Sequence, residues 1–124
     1  MTPEEWDWIG AKLGCSFSEG YKALIDVSML YWIGLDLYQP LAVARDFTET
    51  SMVAVYEDEI SSNPDWDRKM IPFCGIGNGD AYCLKINDAF ADEVWFFDHE
   101  GGQYEHVSSS FSDWLTSELP LLIG

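Results

Sequence analysis

Met70-Ile71-Pro72-Phe73-Cys74-Gly75-Ile76-Gly77-Asn78-Gly79-Asp80-Ala81-Tyr82-Cys83-Leu84-Lys85-Ile86 decides how the rest of the chain is read. It begins as a short apolar strand, passes through a glycine-rich turn, and ends as a strand whose apolar residues alternate. Gly-Asn-Gly between two such runs predicts a hairpin, because glycine and asparagine reach positive φ at little steric cost. Glycines at alternate positions also suggest a phosphate cradle. That cradle needs a helix opening straight after the loop, usually with a lysine, whereas Asp80 and a strand follow here. The turn reading is the one carried forward.

Working outward toward the N-terminus, Thr48 predicts the cap of a helix carrying Met52, Val55, Tyr56 and Ile60 at helical spacing, with Glu49, Glu57, Asp58 and Glu59 on its other face. Ser61-Ser62-Asn63-Pro64 breaks it. Upstream, period two from Leu30 to Leu37 predicts a strand ended by Gln39-Pro40, and residues 41–47 carry no clear pattern. Thr2-Pro3-Glu4-Glu5 is a helix start with a capping box, followed by Trp6, Ile9 and Leu13 on one face and a stop at Gly14. A second helix starts at Ser18, carries Tyr21, Leu24 and Ile25, and runs to about Val27.

On the C-terminal side, Asn87-Asp88 begins a connection through Ala89-Phe90-Ala91 to a strand at Glu93–Asp98, apolar on both faces as a central strand would be. His99–Gln103 turns the chain into a partner strand, Tyr104–Val107. Ser110 starts a last helix with Asp113 as its reciprocal cap, closed by Pro120. In the hairpin, Tyr82, Leu84 and Ile86 share one face, and Cys83 sits on the other beside Ala81 and Lys85. The order predicts an α+β fold: one domain over residues 1–124, an antiparallel sheet meander covered by N-terminal helices and a C-terminal helix.

The chain has 124 residues, 48% of them apolar and 15% aromatic, enough to fold around its own core. No apolar run approaches the ~20 residues of a membrane span, and the N-terminus is acidic where a signal peptide is basic, so the expectation is a cytoplasmic protein without membrane contact. Cys15, Cys74 and Cys83 read as free thiols. A zinc site from Cys74, Cys83, His99 and His106 is disfavoured by spacings of eight, fifteen and six intervening residues, and no metal or cofactor is expected.

Twenty-two acidic residues against six basic ones give a net charge of −16. Such a chain is a poor ligand for nucleic acid, whose binding rests on Lys and Arg neutralising phosphate. The charge either keeps an aromatic-rich protein in solution or draws a basic partner. Catalytic patterns fail on the inventory. His99 and His106 are the only histidines, no nucleophile elbow is present, and carboxylate pairs are expected by chance among so many acids. Asp65-Trp66-Asp67 and Glu57-Asp58-Glu59 do not continue into a calcium loop.

Three segments together resemble the SUKH superfamily, which includes fungal cell-wall-assembly regulators and many bacterial proteins. They are Trp66 to Leu84 (WDRKMIPFCGIGNGDAYCL), the Val94-Trp95-Phe96-Phe97-Asp98-His99-Glu100 strand and turn, and the Ser-Phe helix start within Val107–Leu115. In element order the resemblance spans about residues 4–120. Asp26-Val27-Ser28-Met29 stands where the family often has Asn-Gly, and Phe17-Ser18 where it often has Leu-Pro. The resemblance implies a non-enzymatic binding module, most often an immunity protein bound to a basic nuclease- or deaminase-type toxin domain, or else a regulatory scaffold like the fungal members. It marks Pro72, Gly77, Gly79, Asp80, Trp95, His99 and Phe111 as scaffold motif residues. Partner contact is then expected from Glu57, Asp58, Glu59, Asp65, Asp67, Asp98 and Glu100.

Overall fold

A computed structural model describes residues 2–28, 36–38, 52–76 and 79–123. Most of the strand expected at Leu30–Leu37, the unassigned 41–47 stretch, the Thr48 cap, and Gly77-Asn78 lie outside those residues.

Helix α1 (Pro3–Leu13) starts as its sequence dictates. The Thr2 hydroxyl accepts the Glu5 N–H and the Glu5 carboxylate accepts the Thr2 N–H, at 3.2 and 2.8 Å. Gly14 ends it at φ 76, and Trp6, Ile9 and Leu13 are buried. After the two-residue strand β1 (Ser16–Phe17), Ser18 Oγ accepts the Tyr21 N–H and opens α2 (Glu19–Ser28). Strand β2 (Asp36–Leu37) precedes α3 (Met52–Ser62), where Val53 joins Met52 and Tyr56 in the core. Strands β3 (Met70–Gly75), β4 (Ala81–Asn87), β5 (Phe90–Asp98) and β6 (Gln103–Ser108) then run up and down, and α4 (Phe111–Ile123) closes the chain.

The sheet order is β1-β5-β4-β3-β2, with β6 also on β5. The antiparallel meander β3–β6 is as expected; the sheet as a whole is mixed, because β1 pairs parallel to the first residues of β5. β1 was not anticipated, since two residues carry no periodicity. The Asn87–Ala91 connection is also corrected: β5 begins at Phe90, directly opposite Asn87, and the turn is Asp88-Ala89 alone. Both turn residues have positive φ, 51 and 62, as a two-residue hairpin of right-handed twist requires. Finally, α4 runs past Pro120 to Ile123: a proline removes one backbone bond and bends a helix without having to end it.

Pro72 sits opposite Cys83 beside a bulge, and among the described residues β2 pairs with β3 only at Cys74 and Gly75, so no described strand partner calls on the N–H that Pro72 lacks on that edge. The helices cover one sheet face. Tyr21, Phe73, Phe111 and Trp114 interlock there, largely edge-on, with centroids 5.1–6.2 Å apart. Each such side chain stabilises the fold by about 1.5–3 kcal/mol through burial. Phe111 is tied further, its N–H donating to Asp92 on β5 at 3.1 Å.

The opposite face is not left to small neighbours. Cys83, with Met70 and Phe97, is buried under Trp66, which the 63–69 connection swings across the sheet. Trp66 donates Nε1–H to the Met70 carbonyl at 3.1 Å and meets the Phe97 and Tyr104 rings edge-on. This cap fixes the surface around which Glu59, Asp65 and Asp67 lie.

Candidate functional site

Two hairpin turns meet at one corner of the sheet. Gly79 adopts φ +97, and a Cβ there would lie 3.0 Å from His99 Cγ, so the imidazole packs directly on glycine backbone. Asp80 Oδ1 accepts the His99 backbone N–H at 2.9 Å and lies 2.6 Å from His99 Nδ1. That hydrogen bond, with the surrounding carboxylates, raises the His99 pKa above its ordinary value. Asp98 Oδ1 accepts the Glu100 and Gly101 N–H groups at 3.0 and 3.4 Å, and its carbonyl accepts the Gly102 N–H at 2.8 Å. Asp80, Asp98 and His99 bring donor atoms within 4.8 Å of one another. Their hydrogen bonds account for the grouping: each carboxylate organises a turn.

The expected partner-binding acids fall in three places. Glu57 and Asp58 are exposed on α3. Glu59, Asp65 and Asp67 rim the Trp66 cap. Burial and Asp58 raise the Glu59 pKa, and the Glu59 charge is felt by Cys83 and Tyr104. Asp67 is structural in part: its N–H donates to the Tyr104 hydroxyl at 3.0 Å and its carboxylate accepts the Lys69 N–H at 2.9 Å. Asp98 ends β5, next to Phe97 of the cap cluster in sequence, and Glu100 lies in the β5–β6 turn that follows.

Of the motif residues, Pro72 and Phe111 are buried in the scaffold, and Gly79, Asp80 and His99 form the corner. Gly77 lies outside the described residues. Trp95 is not at the corner. It donates Nε1–H to Glu93 at 2.6 Å, stands edge-on to His106 at 5.3 Å, and carries Lys85 Nζ 4.7 Å from its ring centre. Glu93 also accepts from Asn87 at 3.3 Å and lies 3.8 Å from His106. Lys85, Glu93 and His106 were missed because they meet only once the register sets Lys85 opposite Glu93 and Trp95 opposite His106.

Away from this face, a cavity of about 240 Å³ lies between α1, β1 and α2, lined by Trp6, Asp7, Gly10, Cys15, Phe17 and Lys22. Burial pushes the Cys15 thiol up to about 12, so it is not a nucleophile at neutral pH. Cys83 is shifted the same way, and Cys74 is buried on the opposite sheet face from Cys83, so the cysteines do not converge on a metal.

A mixed sheet under helices on one face, capped by a tryptophan on the other and cornered by an Asp–His pair, defines an α+β module with its polar groups spent on turns. The SMI1 / KNR4 family (SUKH-1) model matches residues 1–117, and the chain belongs to that family. No curated protein sequence matches it significantly. Membership supports a module of the toxin-immunity or SMI1/KNR4-like kind. Among the described residues, no helix is long and apolar enough to cross a membrane.

Proposed function

We propose that this chain is a non-enzymatic, cytoplasmic immunity protein that binds a basic toxin domain, of nuclease or deaminase type, and occludes its working surface. The observation that carries the reading is the state of the acids. Glu57, Asp58, Asp65 and Glu100 are exposed, and among the described residues none has an ion-pair partner, in a chain of net charge −16. Unpaired surface carboxylates cost self-repulsion in the free protein and are relieved by a cationic partner. Buried thiols and histidines already engaged with Asp80 and Glu93 favour binding over catalysis.

The test is co-expression with the toxin domain encoded beside this gene. A stable complex is expected, with an association rate that falls by about tenfold or more between low and physiological salt. Glu57→Lys/Asp58→Lys and Asp65→Lys variants should slow association. Binding indifferent to both salt and charge reversal would overturn the reading. Family membership also favours a second reading, a regulatory scaffold for housekeeping proteins. Recovery of such proteins, with no toxin gene alongside, would select it.

A further inference from the structure

Strand β6 forms one edge of the sheet. It pairs with β5 through Val94↔Ser108, Trp95↔His106, Phe96↔Glu105, Phe97↔Tyr104 and Asp98↔Gln103. No backbone hydrogen bond leaves residues 103–108 on the other side among the described residues. Gln103, Glu105, His106 and Val107 are all exposed, and Val107, 40% exposed, stands in the bulge between Ser108 and His106. Six residues make an open edge about 20 Å long, enough for one short added strand.

We propose that β6 is the docking edge for an extended, basic segment of the partner, added to the sheet as a seventh strand. The proposal rests on the basic-partner reading above and gives it a location. Backbone pairing supplies affinity in such additions, and side chains at alternate positions supply the choice of partner. Here the choice is set by charge: Glu105 projects from the middle of the edge, with Asp98 and Glu100 where the chain enters it. A strand carrying Lys or Arg on the Glu105 side meets that carboxylate at the middle of the edge and the acids of the preceding turn at its start. A second copy of the same chain does not. Two copies paired through β6 would bring their Glu105 side chains into one small region and join two bodies of charge −16. A charge such as Glu105 is one of the devices by which edges resist pairing with their own kind. It leaves a complementary basic strand unopposed.

The probes are a capped peptide of about eight residues alternating Lys and Val, the same peptide N-methylated at every second residue, and a Glu–Val counterpart. Methylation keeps the charge and removes the donors an edge needs. Amide exchange and backbone shifts of the intact protein are followed by NMR. The Lys–Val peptide is expected to slow exchange in residues 103–108 by about tenfold, with the methylated and acidic peptides about tenfold weaker. Glu105→Lys should weaken binding several-fold while leaving the amide spectrum of the rest of the sheet in place. Equal binding of the methylated peptide, perturbations mapping away from 103–108, or a dimer of the free protein held through β6 would each overturn the proposal. A natural basic partner that binds but leaves 103–108 unprotected removes the edge assignment and leaves the immunity reading standing. Failure of every basic partner, with the Lys–Val peptide still on β6, does the reverse.

Discussion

Asp80 does two jobs with one oxygen, holding the backbone N–H and the ring of His99 across two hairpins. Because the folded state favours the protonated ring, the His99 pKa is raised above the ~6.5 of an unfolded chain. The pair's contribution to stability is therefore complete below about pH 6.5 and is lost as pH rises through the folded value. Thermal stability should fall over that interval, and an NMR titration should place His99 above ~6.5 and return it toward that value in Asp80→Asn. A wild-type His99 titrating at or below 6.5 would contradict the geometry. Gly79→Ala should cost about 1–2 kcal/mol in denaturant unfolding, since its φ is +97 and the new Cβ meets the imidazole at 3.0 Å. At this scale the sequence showed the letters but not the bond. Gly79, Asp80 and His99 stand out by turn chemistry and by resemblance, yet Asp80 and His99 are 19 residues apart, and only the sheet register joins them.

The elements were legible wherever local chemistry fixes them. The capping box at Thr2, the Ser18 cap and the Ser110 cap with its 3.1 Å bond from Asp113 N–H are side-chain-to-backbone contacts within three residues. Where a boundary depends on distant pairing, the sequence was silent. Asp88-Ala89 looks like a loop because neither residue is the glycine that positive φ invites; its carbonyl anchorage of Ser16 N–H at 2.8 Å exists only in the fold. Ala89→Gly should accordingly stabilise the protein by up to about 1 kcal/mol, the left-handed penalty of alanine outweighing the entropy of glycine. A loss of stability would mean that the turn is held by its surroundings and not strained. The Trp66 cap is the opposite case, an aromatic in an acidic connection that reads as loop and behaves as core. Trp66→Ala removes a ring buried over Cys83 and Phe97 and should cost about 3–5 kcal/mol, with hydrogen exchange quickening first in β4 and β5.

Across the whole molecule the charge was plain in the composition, but its distribution was not. Periodicity put Glu57 and Asp58 on the outer side of α3; it had no means of seating Glu59 and Asp67 against a tryptophan cap, or of placing Asp98 and Glu100 at the head of an open strand. Among the described residues, Lys22–Glu19 at 3.5 Å is a local surface pair and His106–Glu93 at 3.8 Å a partly exposed cross-strand one, and pairs of this kind contribute little. Net repulsion among 22 acids should then dominate the electrostatics of the free protein. Salt shortens the Debye length from about 30 Å at 0.01 M to about 8 Å at 0.15 M, which screens that repulsion. The melting temperature of the free chain should therefore rise by several degrees over this range, about 1 kcal/mol for a domain of this size. Over the same range its association with a basic partner should slow. On the proposed reading the two trends have one cause, acids that repel each other in the free chain and would be matched by a basic partner. A melting temperature that falls with salt would show that attractive pairs outweigh the repulsion, and the strongest physical argument for a basic partner would go with it.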